Sequence, residues 1–215
     1  MKYIRYGVYT GRENMHIDSE LLDEAIETNC SEPIFRLYGW SPKCISIGRN
    51  QNETNIADVD VVRRVTGGRA LLHDDEITYS CIVPVSYIPD GESIIASYKY
   101  ISSYLIRFFD TLGVKLNIGE NSKKNTKFDY CMMISTGADV CYEGKKIIGS
   151  AQFRKNGYIL QHGSILFSYD KILLEKLFKE KVSTDSITCV REILPNLTKE
   201  EFVEEFEKFI IKEKL

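Results

Sequence analysis

Three short blocks and one cysteine hold the residue types that could do chemistry. The first is Arg63-Arg64-Val65-Thr66-Gly67-Gly68-Arg69-Ala70-Leu71-Leu72-His73. Paired glycines between strand-like runs let backbone N–H groups approach a ligand that a Cβ would exclude. The flanking arginines supply charge for a phosphate or a carbonyl oxygen. An ordinary hairpin turn uses the same residues. No GK[ST] follows the glycines and no GxGxxG opens a helix, so neither a P-loop nor a dinucleotide fingerprint is present.

The second block is Gly144-Lys145-Lys146-Ile147-Ile148-Gly149-Ser150-Ala151-Gln152. Side chains alternate along a strand, so Lys145 and Lys146 face opposite ways. An ammonium drawn into the sheet is costly unless it meets an anion or a polarised carbonyl. Two hairpin lysines in water would be the plain alternative. The third block, Gln161-His162-Gly163-Ser164, breaks an apolar strand with polar groups. Its glycine permits close backbone approach to a ligand, and His162 could equally be a hydrogen-bonded core histidine. Cys131 sits in FDYCMMIST, fifteen residues before Lys146. By itself such a cysteine reads as an inert packing residue.

The elements that must position these groups follow from periodicity. Residues 2–10 read as a strand, and Asn14 to Thr28 places Ile17, Leu21, Leu22, Ala25 and Ile26 on one helical face. PIFRLYGW and KCISIGRN read as strands bounded by Pro33, Pro42 and Gly48. VDVVRRV, ALLHDD and EITYSCIVP are three more strands, the first two joined by a tight turn at Gly67–Gly68. From Ser93 to Leu112 the spacing is helical, and Gly113 stops it. ADVCYEG and KKIIGSAQF run to a turn at Asn156–Gly157, and YILQHGSILF returns. The rest reads as helical, ending in an amphipathic helix with Phe202, Phe206, Phe209 and Ile210 inward. Strands and helices come in blocks, which predicts an α+β fold with a mixed or antiparallel β-sheet flanked by helices.

Bulk properties exclude several classes. With 215 residues, 43% apolar, and no repeat or low-complexity tract, the chain predicts a single domain over 1–215. The apolar runs are too short to span a bilayer, and MKYIRYGVYTG lacks the apolar core of a secretion signal. The expected location is cytoplasmic, with no membrane partner. The six cysteines form no CxxC pair and no metal-ligand spacing, so they are expected reduced and without a metal. A net charge of −3 argues against nucleic acid as a partner. Between Lys123 and Lys155, seven basic residues face three acids (Asp129, Asp139 and Glu143). Such a face suits an acidic protein or a phosphate, although ordinary solvated charge gives the same pattern.

In order and spacing, RRVTGGRALLH with EITYS, GKKIIGSAQ and QHGSILF resemble the biotin/lipoate A/B protein ligase family over roughly Arg63 to Phe167. NMHIDSELL is similar to its N-terminal strand–helix. The resemblance implies the catalytic-domain fold of that family. It also implies an acyl pocket lined by Arg64, Thr66, Gly67, Gly68, Arg69, His73, Gly149, Ser150, Ala151, His162 and Gly163. By position Lys146 is the family's lysine, which hydrogen-bonds the acyl carbonyl and stabilises the developing oxyanion. Two features depart from the ATP-dependent lipoate ligases: Arg69 stands where they carry a third glycine, and no C-terminal accessory domain is expected.

The octanoyltransferase branch is similar in TGGRA, SAQ and LQHGSIL, and its catalytic cysteine aligns with Cys131. The resemblance then implies octanoyl transfer from octanoyl-acyl carrier protein through a Cys131 thioester to a lysine of a lipoyl-accepting protein. The expected acceptor is the glycine cleavage H protein, or else another lipoyl domain. A thioester donor is already activated, so no cofactor is expected. Arg69 would meet the phosphopantetheine phosphate or an acidic carrier surface. Two alternatives stand beside this reading. One is an ATP- and magnesium-dependent lipoate–protein ligase; the other is a non-catalytic protein that binds lipoyl or carrier domains. The expected oligomeric state is a monomer.

Overall fold

The structure is a computed structural model that describes residues 1–52, 59–119, 139–179 and 181–215. Its architecture is α+β. The elements that build the large sheet are β1 (Lys2–Tyr9), β2 (Ile34–Trp40), β6 (Glu76–Pro84), β7 (Asn117–Ile118), β8 (Val140–Tyr142), β9 (Lys145–Lys155) and β10 (Tyr158–Leu166). Their order is β1-β2-β6-β10-β9-β8-β7. β1 and β2 are parallel, and the other described pairs are antiparallel. A small sheet of β4 (Asp60–Arg63), β3 (Cys44–Ile47) and β5 (Leu71–His73) packs beside it in that order.

The sequence of β6 shows why the large sheet has two unlike faces. Ile77, Tyr79, Cys81 and Val83 alternate onto one face. There they meet Ile101, Leu105 and Phe108 of α2 (Ile94–Thr111) and Phe202, Phe206 and Phe209 of α5 (Lys199–Lys212). Phe108 stacks on Phe206 with centroids 4.0 Å apart. Glu76, Thr78, Ser80 and Ile82 occupy the opposite face. Ile82 packs on Leu21, Leu22 and Ala25 of α1 (Gly11–Glu27), while the three polar residues are buried. That polar, buried half of the face carries the site.

Helix ends follow their caps. Thr10 and Glu13 form a capping box at the start of α1, and Thr198 and Glu201 form another at α5. Helix α1 therefore starts three residues earlier than its apolar periodicity predicts. Asn156 (φ 48°) and Gly157 (φ 79°) make the expected two-residue turn between β9 and β10. Two successive positive φ values match the twist of the paired strands.

Two expectations need correction. Strands β4 and β5 do not pair as a hairpin; β3 lies between them, parallel to β4 and antiparallel to β5. The Gly67–Gly68 segment thus crosses over β3 rather than closing a hairpin turn. The chain after β10 is also not wholly helical. Beyond α3 (Lys171–Phe178), Ile187 bridges Lys146 in parallel, and Lys146 N–H and C=O bond to Ser186 and Thr188. These bonds satisfy backbone groups of β9 beyond the stretch that pairs with β10, before α4 (Val190–Ile193) begins. Among the described residues no helix is long and apolar enough to cross a membrane.

Candidate functional site: a cleft over a wall of paired donors

A cleft opens between α1, the small sheet and the polar face of the large sheet. Among the described residues, β9 and β10 contribute Gly149, Ser150, Ala151, His162, Gly163 and Ser164 to its lining. The glycine block contributes Arg64, Gly68, Leu71 and His73. Met15, Tyr38, Trp40, Ser46 and Thr78 complete it.

The glycine block is held by Arg64. Its Nη1 donates to Ser46 O (2.9 Å) and Ser46 Oγ (3.0 Å), its Nη2 to Gly67 O (2.9 Å) and Arg69 O (2.7 Å), and its Nε to Gly67 O (3.2 Å). A guanidinium has five N–H donors, and these bonds engage each of them. Arg64 therefore shapes the loop. The charge for a substrate oxygen that the sequence suggested is committed to loop carbonyls. Gly68 takes φ +96°, where a side chain would be strained. A Cβ at Gly48 would meet Gly68 O at 2.1 Å, so the crossover can lie against β3 only with glycine there.

Two buried polar hubs lie behind the lining. In the first, Asp18 on α1 accepts from Arg36 Nη1 (2.8 Å), Ser80 Oγ (2.9 Å) and Tyr38 OH (2.9 Å). His162 Nδ1 lies 3.3 Å from Asp18 Oδ2, and His162 Nε2 is 2.7 Å from Thr66 Oγ1. Burial alone would raise the Asp18 carboxyl, but His162, Arg36 and Ser80 together hold it below the ordinary carboxylate range. Burial and the Asp18 charge push the Tyr38 phenol well up, so it serves as a neutral donor. Arg36 also donates to Asn14 Oδ1 (2.7 Å) and stacks over the Tyr38 ring at 3.9 Å.

In the second hub, Glu76 Oε1 receives His73 Nδ1 (2.5 Å), Thr78 Oγ1 (2.7 Å) and Ser164 Oγ (2.7 Å). Trp40 Nε1 donates to Thr78 Oγ1 (2.8 Å), and the indole stacks on His73 at 3.7 Å. The protons of Thr78, Ser164, Trp40 and His73 are therefore spent inside the wall. A wall whose donors are already paired does not compete for a polar ligand, and it offers an apolar chain mostly ring faces and methyl groups.

Lys146 is buried, and its Nζ forms an ion pair with Asp139 Oδ1 at 3.0 Å. It stands three residues before Gly149 on β9 but is not part of the cleft lining formed by the described residues. Of the other expected residues, the structure brings Arg64, Gly68, His73, Gly149, Ser150, Ala151, His162 and Gly163 together at the cleft. Thr66 is buried one hydrogen bond behind it, on His162. Gly67 and Arg69 are not in the described lining; they join the site through their carbonyls on Arg64. Cys131 lies outside the described residues, as do Lys123, Lys124 and Lys127 of the basic run. Cys44, Cys81, Cys141 and Cys189 are buried, and Cys30 is half-buried.

The model for the lipoyl protein ligase A/B catalytic domain matches residues 10–211. This chain belongs to that family. Among similar proteins, the octanoyltransferase LipM of Clostridioides difficile is 39% identical over 182 residues, covering 80% of this chain and 66% of the relative. LipM of Macrococcus caseolyticus is 41% identical over 180 residues, covering 77% and 65%. The chain thus spans about two-thirds of the length of these relatives. The crystal structure of lipoate-protein ligase A bound with ATP superposes with a TM-score of 0.72 at 20% identity, covering 99% of this chain and 85% of that one. At that identity the likeness shows a lipoyl protein ligase A/B fold.

Sequence reasoning missed the hub residues Asp18, Arg36, Ser46 and Glu76. A signal was present for two of them. Asn14 and Asp18 lie four apart on α1 and share the buried side with Leu21 and Leu22. Glu76, Thr78 and Ser80 form the polar half of an otherwise apolar strand. Ser46, between Ile45 and Ile47, carried no signal of its own.

Proposed function

We propose that this lipoyl protein ligase A/B domain is the catalytic part of an octanoyltransferase of lipoate biosynthesis. In this reading octanoyl-acyl carrier protein docks, and the Cys131 thiolate attacks its thioester. The carrier thiol leaves, and a lysine amine of the acceptor takes the acyl group as an amide. The acceptor is the glycine cleavage H protein, or another lipoyl domain. Conversion of thioester to amide is downhill, so the reaction uses no nucleotide.

What carries this reading is the kinship with octanoyltransferases, at 39% and 41% identity over about four-fifths of the chain. The geometry is consistent with it. A wall whose donors are paired suits an aliphatic tail, and Thr66, Gly67, Gly68, His73, Gly149, Ser150, Ala151, His162 and Gly163 surround or support that tail. Arg64 holds the glycine block. Arg69 meets the carrier. Lys146, ion-paired with Asp139, is the cation assigned to the acyl carbonyl.

The test is intact-mass measurement of an apo acceptor domain, with octanoyl-carrier and no ATP in one arm and octanoate or lipoate plus ATP in the other. We expect a mass gain only with the thioester, and an octanoyl adduct on Cys131 that Cys131→Ser abolishes. Product only from free acid and ATP would make the protein a ligase.

A further inference from the structure

A second constellation on the cleft wall has the order of groups that activates a serine. Ser46 Oγ accepts from Arg64 Nη1 at 3.0 Å, and a guanidinium can only donate. The single Ser46 proton is therefore directed to His73 Nε2, 2.7 Å away. His73 Nδ1 is 2.5 Å from Glu76 Oε1. With Nδ1–H given to the carboxylate, Nε2 is the acceptor of the ring. The chain of donors thus runs one way, from Arg64 to Ser46 to His73 to Glu76. Trp40 lies on the imidazole at 3.7 Å and 13°, which fixes the ring plane.

Ser46 and His73 both line the cleft, and Glu76 is buried behind them. Nucleophile, base and orienting carboxylate are each within hydrogen-bond reach of the next. The second Glu76 oxygen, Oε2, is buried without a hydrogen-bond partner. An ion-pairing partner for the carboxylate other than His73 is absent from the described contacts. Its charge is thus available to an imidazolium formed at His73.

We propose that Ser46, His73 and Glu76 form a second acyl-transfer site, which acylates Ser46 and slowly hydrolyses medium-chain acyl esters and thioesters. Ser46 Oγ attacks the acyl carbonyl carbon and forms the new C–O bond while its proton passes to His73 Nε2. The bond to the leaving sulfur or oxygen breaks, and the leaving group takes that proton from His73. Water, deprotonated by the same imidazole, then attacks the Ser46 ester. The carboxylic acid departs and the hydroxyl is restored. Glu76 acts as a positioning residue that holds the ring and stabilises the imidazolium. Neither Cys131 nor Lys146 takes part; the site shares its cleft and His73 with the proposed octanoyl transfer, and the preferred acyl length rests on that reading.

The experiment uses the full chain carrying Cys131→Ala, with p-nitrophenyl octanoate as probe. Nitrophenolate release and peptide mass are followed together. We expect hydrolysis that falls at least tenfold when Ser46→Ala is added. Glu76→Gln should lower the rate with little change in KM, and an octanoyl ester should appear on the peptide containing Ser46. Equal hydrolysis with and without Ser46, and no ester on that peptide, would overturn the proposal. Should Ser46→Ala fail to fold, a fluorophosphonate probe on the Cys131→Ala protein decides directly: modification of Ser46 supports the site, and its absence refutes it. Octanoyl transfer by the unaltered chain, measured in parallel, reports separately on the Cys131 route.

Discussion

Replacing Asp18 by Asn tests whether the first polar hub carries charge as well as hydrogen bonds. Asp18 accepts from three donors besides its contact with His162, and Arg36 is its buried cationic partner. An asparagine has about the same volume, but its one carbonyl oxygen cannot serve all those donors, and its NH₂ group faces some of them. Arg36 keeps Asn14 Oδ1 and the Tyr38 ring face, which soften the loss but supply no negative charge. Removing one partner of a buried ion pair costs about 3–5 kcal/mol.

For a chain of this size each kcal/mol moves the melting temperature by about 2–4 °C, so Asp18→Asn should melt about 6–20 °C lower at pH 7. The pH dependence has a definite sign. The Asp18 carboxyl is held below its ordinary value in the fold, so its stabilisation is present above the unfolded carboxylate range and disappears as pH falls through the folded value. The gap between the two proteins should therefore be full at pH 7 and shrink below about pH 4. Thermal melts by circular dichroism from pH 3 to pH 8 provide the assay. A gap under 2 °C at pH 7, or one that stays constant into acid, would refute the charge argument.

Two further outcomes follow from close contacts and buried thiols. A Cβ at Gly163 would stand 2.6 Å from both Gly149 O and Ser150 Oγ. Gly163→Ala should destabilise by about 1–3 kcal/mol, as overpacking does, and weaken acyl binding by pushing β9 from β10; denaturant unfolding and KM for the acyl donor check both. Burial, with help from Asp60, pushes the Cys44 thiol up to about 12, and burial likewise raises Cys81 and Cys189. Iodoacetamide at pH 8 should therefore label Cys131 well before those three in the native protein, and peptide mass would show any reversal.

Local signals read well where one neighbour decides the outcome. The Asn156–Gly157 turn needs two positive φ values, and Asn-Gly provides them within the turn itself. The period-two apolar run of β6 and the phenylalanine spacing of α5 likewise announced faces that any partner would bury. The same holds for the glycine, GKK and QHG blocks, whose residue types and order placed most of the cleft lining.

What the sequence alone determined, then, is most of the elements, the α+β class and the residues able to approach a ligand. Tertiary structure decided what those residues do. Arg64 could have met a substrate oxygen, but β3 and the crossover above it turn four carbonyl and hydroxyl acceptors toward it. His162 could have been a core histidine or a ligand contact; it is both hydrogen-bonded and at the cleft, because Asp18 arrives from α1 and Thr66 from the glycine block. Glu76 and Ser46 are distant in sequence and become one chain only when β3, β5 and β6 converge on His73. Backbone geometry is set by neighbours along the chain, whereas hydrogen-bond partnership is set by which strands end side by side.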